Sequence, residues 1–351
     1  MLEFYKGKNI FIAGHTGFKG SWLCRILAGA GANVTGYALE PPTEPSLFEL
    51  SGIKKNINSI HGDVCDLELL KRSLMSSNAE IIFHMAAQPL VRESYKAPVK
   101  TYATNVMGTV NLLEAARYCE NARSIVNVTT DKVYENKEWH WGYRENDPLC
   151  GRDPYSNSKS CSELVTYSYK NSFYDKADSP ALSTARSGNV IGGGDFADER
   201  IVPDFIRAAG KNKNLTVRNP HSIRPYQHVL DCLHGYLLLA RKQYDDKALA
   251  GSYNFGPDEF GCVTTGELVS MLCAAWGAEL KWESDHDGGP HESSFLKLDC
   301  SKSRAVLGWK PLLNISEAVI NTVDWSRKWL NGEDFNQCMA GQISHYFNGA
   351  A

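Results

Sequence analysis

Short unbroken apolar runs alternate with longer amphipathic stretches through the first half of the chain. Asn9–Ala13 (NIFIA) reads as a buried strand, and Ser21–Ala30 (SWLCRILAGA) reads as the helix after it. Asn33–Leu39 predicts a second strand, and Ile81–Ala86, Ser124–Thr129 and Ala181–Arg186 predict three more. Asn105–Tyr118 (NVMGTVNLLEAARY) spaces its apolar residues three and four apart, as one face of a helix requires. Pro41–Ser51 holds three prolines, which cannot donate to a helix or a ladder, so it predicts a loop. Strand followed by helix recurs at least four times, the sequence form of a parallel sheet with crossover helices, and this assigns the chain to the α/β class.

After Ser187 the pattern changes. Gly192–Asp195 (GGGD) opens a loop-rich stretch running to Arg224, with basic residues at Arg200, Arg207, Arg218 and Arg224. Val229–Arg241 and Thr265–Trp276 return to helical spacing, with a strand at Ser252–Phe255 between them. The expected division is a first domain of residues 1–186 plus about 225–256 and a smaller, interleaved C-terminal α/β domain of about 187–224 and 257–351. Trp276, Trp309, Trp325 and Trp329 predict packing between helices, and the stretch after Gly332 reads as a mobile tail.

Composition then narrows the classes of function. Of 351 residues, 43% are hydrophobic, enough for a full core and incompatible with a disordered chain. Lys and Arg number 37 against 40 Asp and Glu, a net charge of −3, which removes the electrostatic basis for a nucleic-acid partner. No apolar run approaches the ~20 residues of a membrane span, and Met1–Lys8 lacks the apolar stretch of a secretory signal. No membrane partner and a cytoplasmic location are therefore expected. Ten cysteines lie scattered without a C-x-x-C pair, and ten histidines show no H-E-x-x-H spacing, so reduced thiols and no metal are expected.

Chemistry enters at Gly14-His15-Thr16-Gly17-Phe18-Lys19-Gly20, directly after the first strand. Glycines in this spacing permit a tight turn, bring backbone against a pyrophosphate and let the helix pack closely, while the helix N-terminus offers unpaired N–H groups. Strand, loop and helix together predict a Rossmann doubly wound parallel sheet that binds a dinucleotide. Glu40, twenty positions after Gly20, is the candidate for the adenosine ribose hydroxyls; the competing reading is a solvated glutamate, with Ala38 at the strand end. Asp63 of Gly62-Asp63-Val64 either meets the adenine ring or caps a turn. No arginine follows the second strand to receive a 2′-phosphate, which favours NAD over NADP.

Tyr155-Ser156-Asn157-Ser158-Lys159 puts a phenol and an ammonium at i and i+4 on one helical face. A phenol with a pKa of about 10 is a poor base at neutral pH; a neighbouring ammonium and a nicotinamide cation bring it into range. Thr130, ending the fourth predicted strand, can hold the same substrate hydroxyl. With these residues the sequence resembles the extended short-chain dehydrogenase/reductase family and, within it, the sugar-nucleotide 4,6-dehydratases. Thr129-Thr130-Asp131-Lys132-Val133-Tyr134 carries the resemblance furthest, since lysine follows the aspartate in members that act on CDP-glucose, where dTDP-glucose enzymes have Asp-Glu. Ala86-Ala87-Gln88-Pro89-Leu90-Val91-Arg92, Gly188–Asp195, Arg224–Val229 and Leu298–Lys302 are similar to the same subfamily, and the resemblance extends to about Trp329.

The resemblance implies NAD as cofactor, held by Gly14, Thr16, Gly17, Phe18, Lys19, Gly20, Glu40, Asp63, Val64, Ala86, Ala87, Gln88, Asn105, Tyr155 and Lys159. It implies CDP-glucose as the small-molecule substrate, held by Gln88, Arg92, Thr130, Asn189, Arg200, Arg218 and Arg224. Tyr155 is the implied base at the 4-hydroxyl, with Lys159 lowering the phenol pKa and Asp131 as the acid for the departing C6 hydroxyl. Lys132 is the positional candidate for the C5 base, with Glu135 or a water as alternatives. His84 and Arg186 read as core residues. The implied product is a precursor of 3,6-dideoxyhexoses in bacterial O-antigen, and the implied assembly is a homodimer, or a homotetramer, through Asn105–Tyr118 and the helix after Tyr155. Two other readings stay open: an epimerase or reductase on another sugar nucleotide, which has no use for Asp131 and Lys132, and a dinucleotide-binding regulator, which has no use for Thr130, Tyr155 and Lys159.

Overall fold

The computed structural model describes residues 1–277, 280–285 and 295–349, with Phe260 described by its backbone alone. Its strands are β1 (Asn9–Ala13), β2 (Asn33–Ala38), β3 (Asn58–His61), β4 (Ile81–His84), β5 (Ser124–Val128), β6 (Ala181–Ser187), β7 (Asn189–Ile191), β8 (Leu215–Val217), β9 (Ile223–His228), β10 (Ser252–Phe255), β11 (Cys262–Thr264) and β12 (Trp282–Ser284). The helices are α1 (Phe18–Gly29), α2 (Leu47–Leu50), α3 (Leu67–Ser76), α4 (Val91–Lys96), α5 (Pro98–Tyr102), α6 (Gly108–Ala116), α7 (Pro154–Ser172), α8 (Ile201–Ala209), α9 (Val229–Asp245), α10 (Thr265–Trp276), α11 (Ile315–Leu330) and α12 (Phe335–Gly349).

Seven strands form one parallel sheet in the order β10-β6-β5-β4-β1-β2-β3, the predicted doubly wound arrangement with β10 added at one edge. The unbroken apolar runs follow from burial on both faces. Ile10 and Ile12 of β1 pack with Trp22, Leu23 and Ile26 of α1 and Leu233, Tyr236 and Leu237 of α9. Phe11 and Ala13 pack on the opposite side with Leu70 and Leu74 of α3 and Leu112 and Leu113 of α6. β9 joins β11 and β7 in a small sheet, and β8 pairs with β12. A third core gathers Phe205 and Ile206 of α8, Leu268 and Leu272 of α10 and Val319 of α11.

Two expectations need correction, and a third gains detail. The loop-rich stretch from Gly192 to Arg224 also holds α8 and β8, whose Val202, Phe205, Ile206, Ala209, Leu215 and Val217 are buried in that third core. Pro203 is tolerated because it falls in the first turn, where amides lack helical partners. Asn105–Tyr118 is not a uniform α-helix, because Ala103–Met107 forms a π turn before α6 begins. The stretch after Gly332 is no mobile tail. It forms α12, with Met339, Tyr346 and Phe347 buried in the same core as Tyr5 and Trp22.

Buried hydrogen bonds add to this packing of α12. The Tyr346 hydroxyl donates to Asp231 Oδ1 at 2.6 Å, and the Leu312 amide donates to the same oxygen at 2.7 Å. Burial pushes the Asp231 carboxyl up to about 6, against the pull of those donors. A folded pKa raised from 3.8 to about 6 leaves this contribution to stability intact below about pH 4 and removes it as pH rises through 6. Two units correspond to roughly 3 kcal/mol. Asp231→Asn keeps an acceptor for both donors and cannot ionise. Urea unfolding is therefore expected to show the variant gaining roughly 3 kcal/mol on the parent between about pH 4 and pH 8. A difference independent of pH would refute this assignment.

Candidate active site

The loops after β1 and β4 meet where the strand order reverses, the crevice in which doubly wound sheets bind ligands. Gly14 has φ of +91°, and a Cβ there would lie 2.5 Å from the Ala86 amide nitrogen. Gly20 is equally constrained, since its Cβ would lie 2.2 Å from the Gly14 carbonyl. Protein packing explains both. At Gly17 it does not: a Cβ would meet only the Gly14 carbonyl at 3.6 Å, an ordinary contact. Among the described residues no side chain caps the N-terminus of α1, which begins just after Gly17. Open backbone over an uncapped helix N-terminus fits a dinucleotide diphosphate.

The remaining cofactor candidates divide. Thr16 braces the loop by donating to the Leu39 carbonyl at 3.0 Å. The Glu40 side chain is 77% exposed and paired with His61 at 3.1 Å. Asp63 behaves as a turn cap, its carboxylate accepting from the Cys65 amide at 2.9 Å while its carbonyl accepts from Tyr37 at 2.8 Å. Val64 is buried, and Ala86 and Ala87 are half-buried. Gln88 and Asn105 serve each other: the Asn105 amide group bonds both backbone groups of Gln88, at 2.8 and 3.1 Å, and donates to Ser158 of α7 at 2.9 Å. The Gln88 side chain donates to Leu90 and Thr101, so its expected contact with substrate is not free in this arrangement.

α7 presents the catalytic pair. Asp153 caps it by accepting from the Ser156 amide at 3.0 Å, and Pro154 occupies the first helical position. Tyr155 and Lys159 then face inward at one-turn spacing, both buried. The Lys159 ammonium donates to the Val128 carbonyl at the end of β5, at 3.1 Å. Burial, helped by the charge of Lys19, pulls it down to about 7. Burial pushes the Tyr155 phenol up to about 12, although a hydrogen bond with Thr130 opposes the rise. Desolvation dominates the phenol in the chain alone.

Thr130 donates to Asp131 Oδ1 at 2.9 Å and caps the single turn Asp131–Val133. The Asp131 carboxyl is buried, its Oδ2 has no hydrogen-bond partner among the described residues, and burial raises its pKa against the charges of Lys132 and Arg224. Desolvation favours the protonated form of such a carboxyl, which can donate a proton where Tyr155 accepts one. Lys132 is half-buried on the same turn, whereas Glu135 is half exposed and paired with Lys137 at 3.5 Å.

Three cations act on these groups: Lys19 on Lys159, Arg200 on Tyr155 and Arg224 on Asp131. Lys19 is half-buried with its ammonium 3.3 Å from the Tyr236 hydroxyl, and desolvation lowers its pKa. Arg200 bonds Asp195 at 3.0 Å and acts electrostatically on both Tyr155 and Lys19. Arg224 is buried on β9, donating to the Ile223 carbonyl at 2.9 Å. Asn189 on β7 and Arg92 on α4 are half-buried, while Arg218 stands by Asp204. His84 is a core residue, as read from the sequence, bonded to Thr109 at 3.2 Å and held neutral by burial.

Sequence reasoning missed the polar structure behind the pair. Glu163, one turn after Lys159, accepts four hydrogen bonds, two of them from Arg186. Its signal was the continued four-residue spacing Tyr155, Lys159, Glu163.

Against known proteins, residues 11–322 match the family model described as GDP-mannose 4,6 dehydratase. The chain is 47% identical over 351 residues, 99% of its length and 98% of the other's, to the CDP-glucose 4,6-dehydratase of Salmonella typhimurium. A dTDP-glucose 4,6-dehydratase from Bacillus anthracis, solved with NAD, superposes with a TM-score of 0.78 at 22% identity, covering 92% of this chain and 97% of that one. A UDP-glucuronic acid 4-epimerase from Bacillus cereus superposes with 0.78 at 21%, covering 91% and 99%.

Proposed function

Because the chain belongs to the GDP-mannose 4,6-dehydratase family, we propose that it dehydrates CDP-D-glucose to CDP-4-dehydro-6-deoxy-D-glucose and water, as a hydro-lyase using NAD. One observation carries this beyond the family: a buried carboxyl, Asp131, with an oxygen that has no partner among the described residues, stands between Thr130 and Lys132 beside the Tyr155 phenol. An epimerase needs the phenol and not the acid.

The Gly14–Gly20 loop, with Ala86, Ala87 and Lys159, would hold NAD, which when bound accepts a hydride from C4 and returns it to C6. Tyr155 takes the 4-hydroxyl proton while Thr130 bonds the same oxygen. A 4-ketone acidifies the C5 hydrogen, which Lys132 removes; Asp131 protonates the departing C6 hydroxyl, and water leaves. Arg92, Asn189, Arg200, Arg218 and Arg224 supply fixed donors toward the nucleoside diphosphate, and this is the role assigned to residues 187–224 and those after 257.

Among the described residues no helix is long and apolar enough to cross a membrane. The proposed setting is cytoplasmic, supplying 3,6-dideoxyhexose precursors for O-antigen. A homodimer is proposed because Val99, Met107, Leu164 and Tyr167 are 82, 50, 55 and 70% exposed on the neighbouring helical segments α5, its π continuation and α7. The mass in solution tests this.

Incubation with NAD and separately with CDP-, dTDP-, UDP- and GDP-linked glucose in deuterated water tests the reaction. Loss of water with one deuterium gained is expected from CDP-glucose. A change of sugar stereochemistry without loss of water would mean an epimerase instead.

A further inference from the structure

The turn that carries Asp131 and Lys132 has little to hold it by itself. Asp131–Val133 is a three-residue 3-10 turn, too short to be stable alone. Both of its ends, however, run into one buried polar assembly. At the upstream end, the Thr129 hydroxyl donates to Glu163 Oε1 at 2.5 Å, and the Thr129 amide donates to the Ala185 carbonyl at 2.9 Å. At the downstream end, the Tyr134 hydroxyl donates to Asn254 Oδ1 at 2.7 Å and accepts from Arg186 Nη1 at 2.9 Å. Between them, Arg186 Nε and Nη2 grip Glu163 at 2.9 and 2.8 Å, and Thr184 donates the fourth bond to that carboxylate at 2.8 Å. Arg186 Nη1 also donates to the Glu145 carbonyl at 2.9 Å.

Glu163 and Arg186 are only 2% and 3% exposed at their side chains. Burying such a pair gains little net stability, since desolvation offsets the attraction, so its stability contribution does not explain it. Geometry does. Glu163 lies on the helix that carries Tyr155 and Lys159, and Ser160 of that helix donates to the Val133 carbonyl at 2.8 Å. Acid and base are therefore both referenced to α7.

Resting on the dehydratase reading, we propose that Glu163, Arg186 and Tyr134 form a positioning frame for the Asp131–Lys132 turn, in which Tyr134 is the positioning residue for the elimination half of the reaction. The asymmetry comes from chain order. Thr130 is held from Thr129, upstream, and Tyr155 from α7 itself. Asp131 and Lys132 lie between Thr129 and Tyr134, so releasing Tyr134 loosens the elimination groups and leaves the oxidation groups anchored.

Tyr134→Phe is the test. The ring retains its stacking on Tyr143, centroids 5.2 Å apart and planes 16° apart, so packing survives. Misplacement of a reacting group by about 1 Å costs on the order of 100-fold. Overall dehydration is expected to fall by about 10- to 100-fold with KM for CDP-glucose within about threefold, while C4 oxidation persists. Single-turnover product analysis should then show a water-retaining 4-ketone with reduced nicotinamide, absent in the parent. Ser160→Ala, which frees the same turn from the α7 side, should shift the partition in the same direction. Oxidation and elimination falling by one common factor, or neither changing, would overturn the proposal. A parent enzyme that turns over CDP-glucose without losing water would instead overturn the dehydratase reading on which it rests.

Discussion

Tyr155→Phe is expected to lower kcat by about 10³-fold, with KM for the sugar nucleotide within about threefold. A factor of 10³ corresponds to about 4 kcal/mol of barrier, within the range for loss of a positioned general base. The ring stays, so the packing at the mouth of the site is kept, and only the proton acceptor at the 4-hydroxyl goes. Because burial holds the phenol near 12 in the chain alone, the working value has to be set by positive charge arriving beside it. The parent's kcat/KM should therefore rise with pH until the alkaline limb is reached, and the variant's residual rate should lack that rise. Steady-state rates across pH decide it; a variant with the parent's kcat would remove Tyr155 from the chemistry.

Asp131→Asn should separate the two halves of the reaction. The amide oxygen still accepts from Thr130, so the turn is preserved, but the side chain can no longer protonate a leaving hydroxyl. Water loss is expected to fall by about 10²- to 10³-fold, while C4 oxidation stays within about threefold. The oxidised sugar nucleotide should accumulate with its C6 hydroxyl intact. If both steps collapse together, Asp131 orients substrate and is not the acid. Loss of oxidation alone would exchange the roles assigned to Asp131 and Tyr155.

The parts legible from the sequence were those written in local pattern. β1, β4 and β5 are apolar on both faces, and their continuous runs identified them directly. β3 escaped because an edge strand of Asn58, Ser59 and His61 has no such run. The glycine loop and the Tyr155–Lys159 spacing are local too, and both stand where expected. What stayed hidden depends on partners far away in the chain. α12 reads as a polar ending until Tyr346 finds Asp231, 115 residues earlier. Glu163 reads as one more helix-surface glutamate until Thr129, Thr184 and Arg186 enclose it. The phenol's elevated pKa is of the same kind, since spacing shows the lysine and says nothing of desolvation.

The core that Tyr5 and Trp22 begin is completed by Met339, Tyr346 and Phe347. During synthesis the ribosome releases these groups at opposite moments. The apolar side of α9, against which α12 lies, stays wet until translation has passed Phe347. A nascent chain stalled near residue 334 would carry a finished phosphate loop and a finished catalytic helix with an unsealed hydrophobic face, a form for chaperones rather than for turnover.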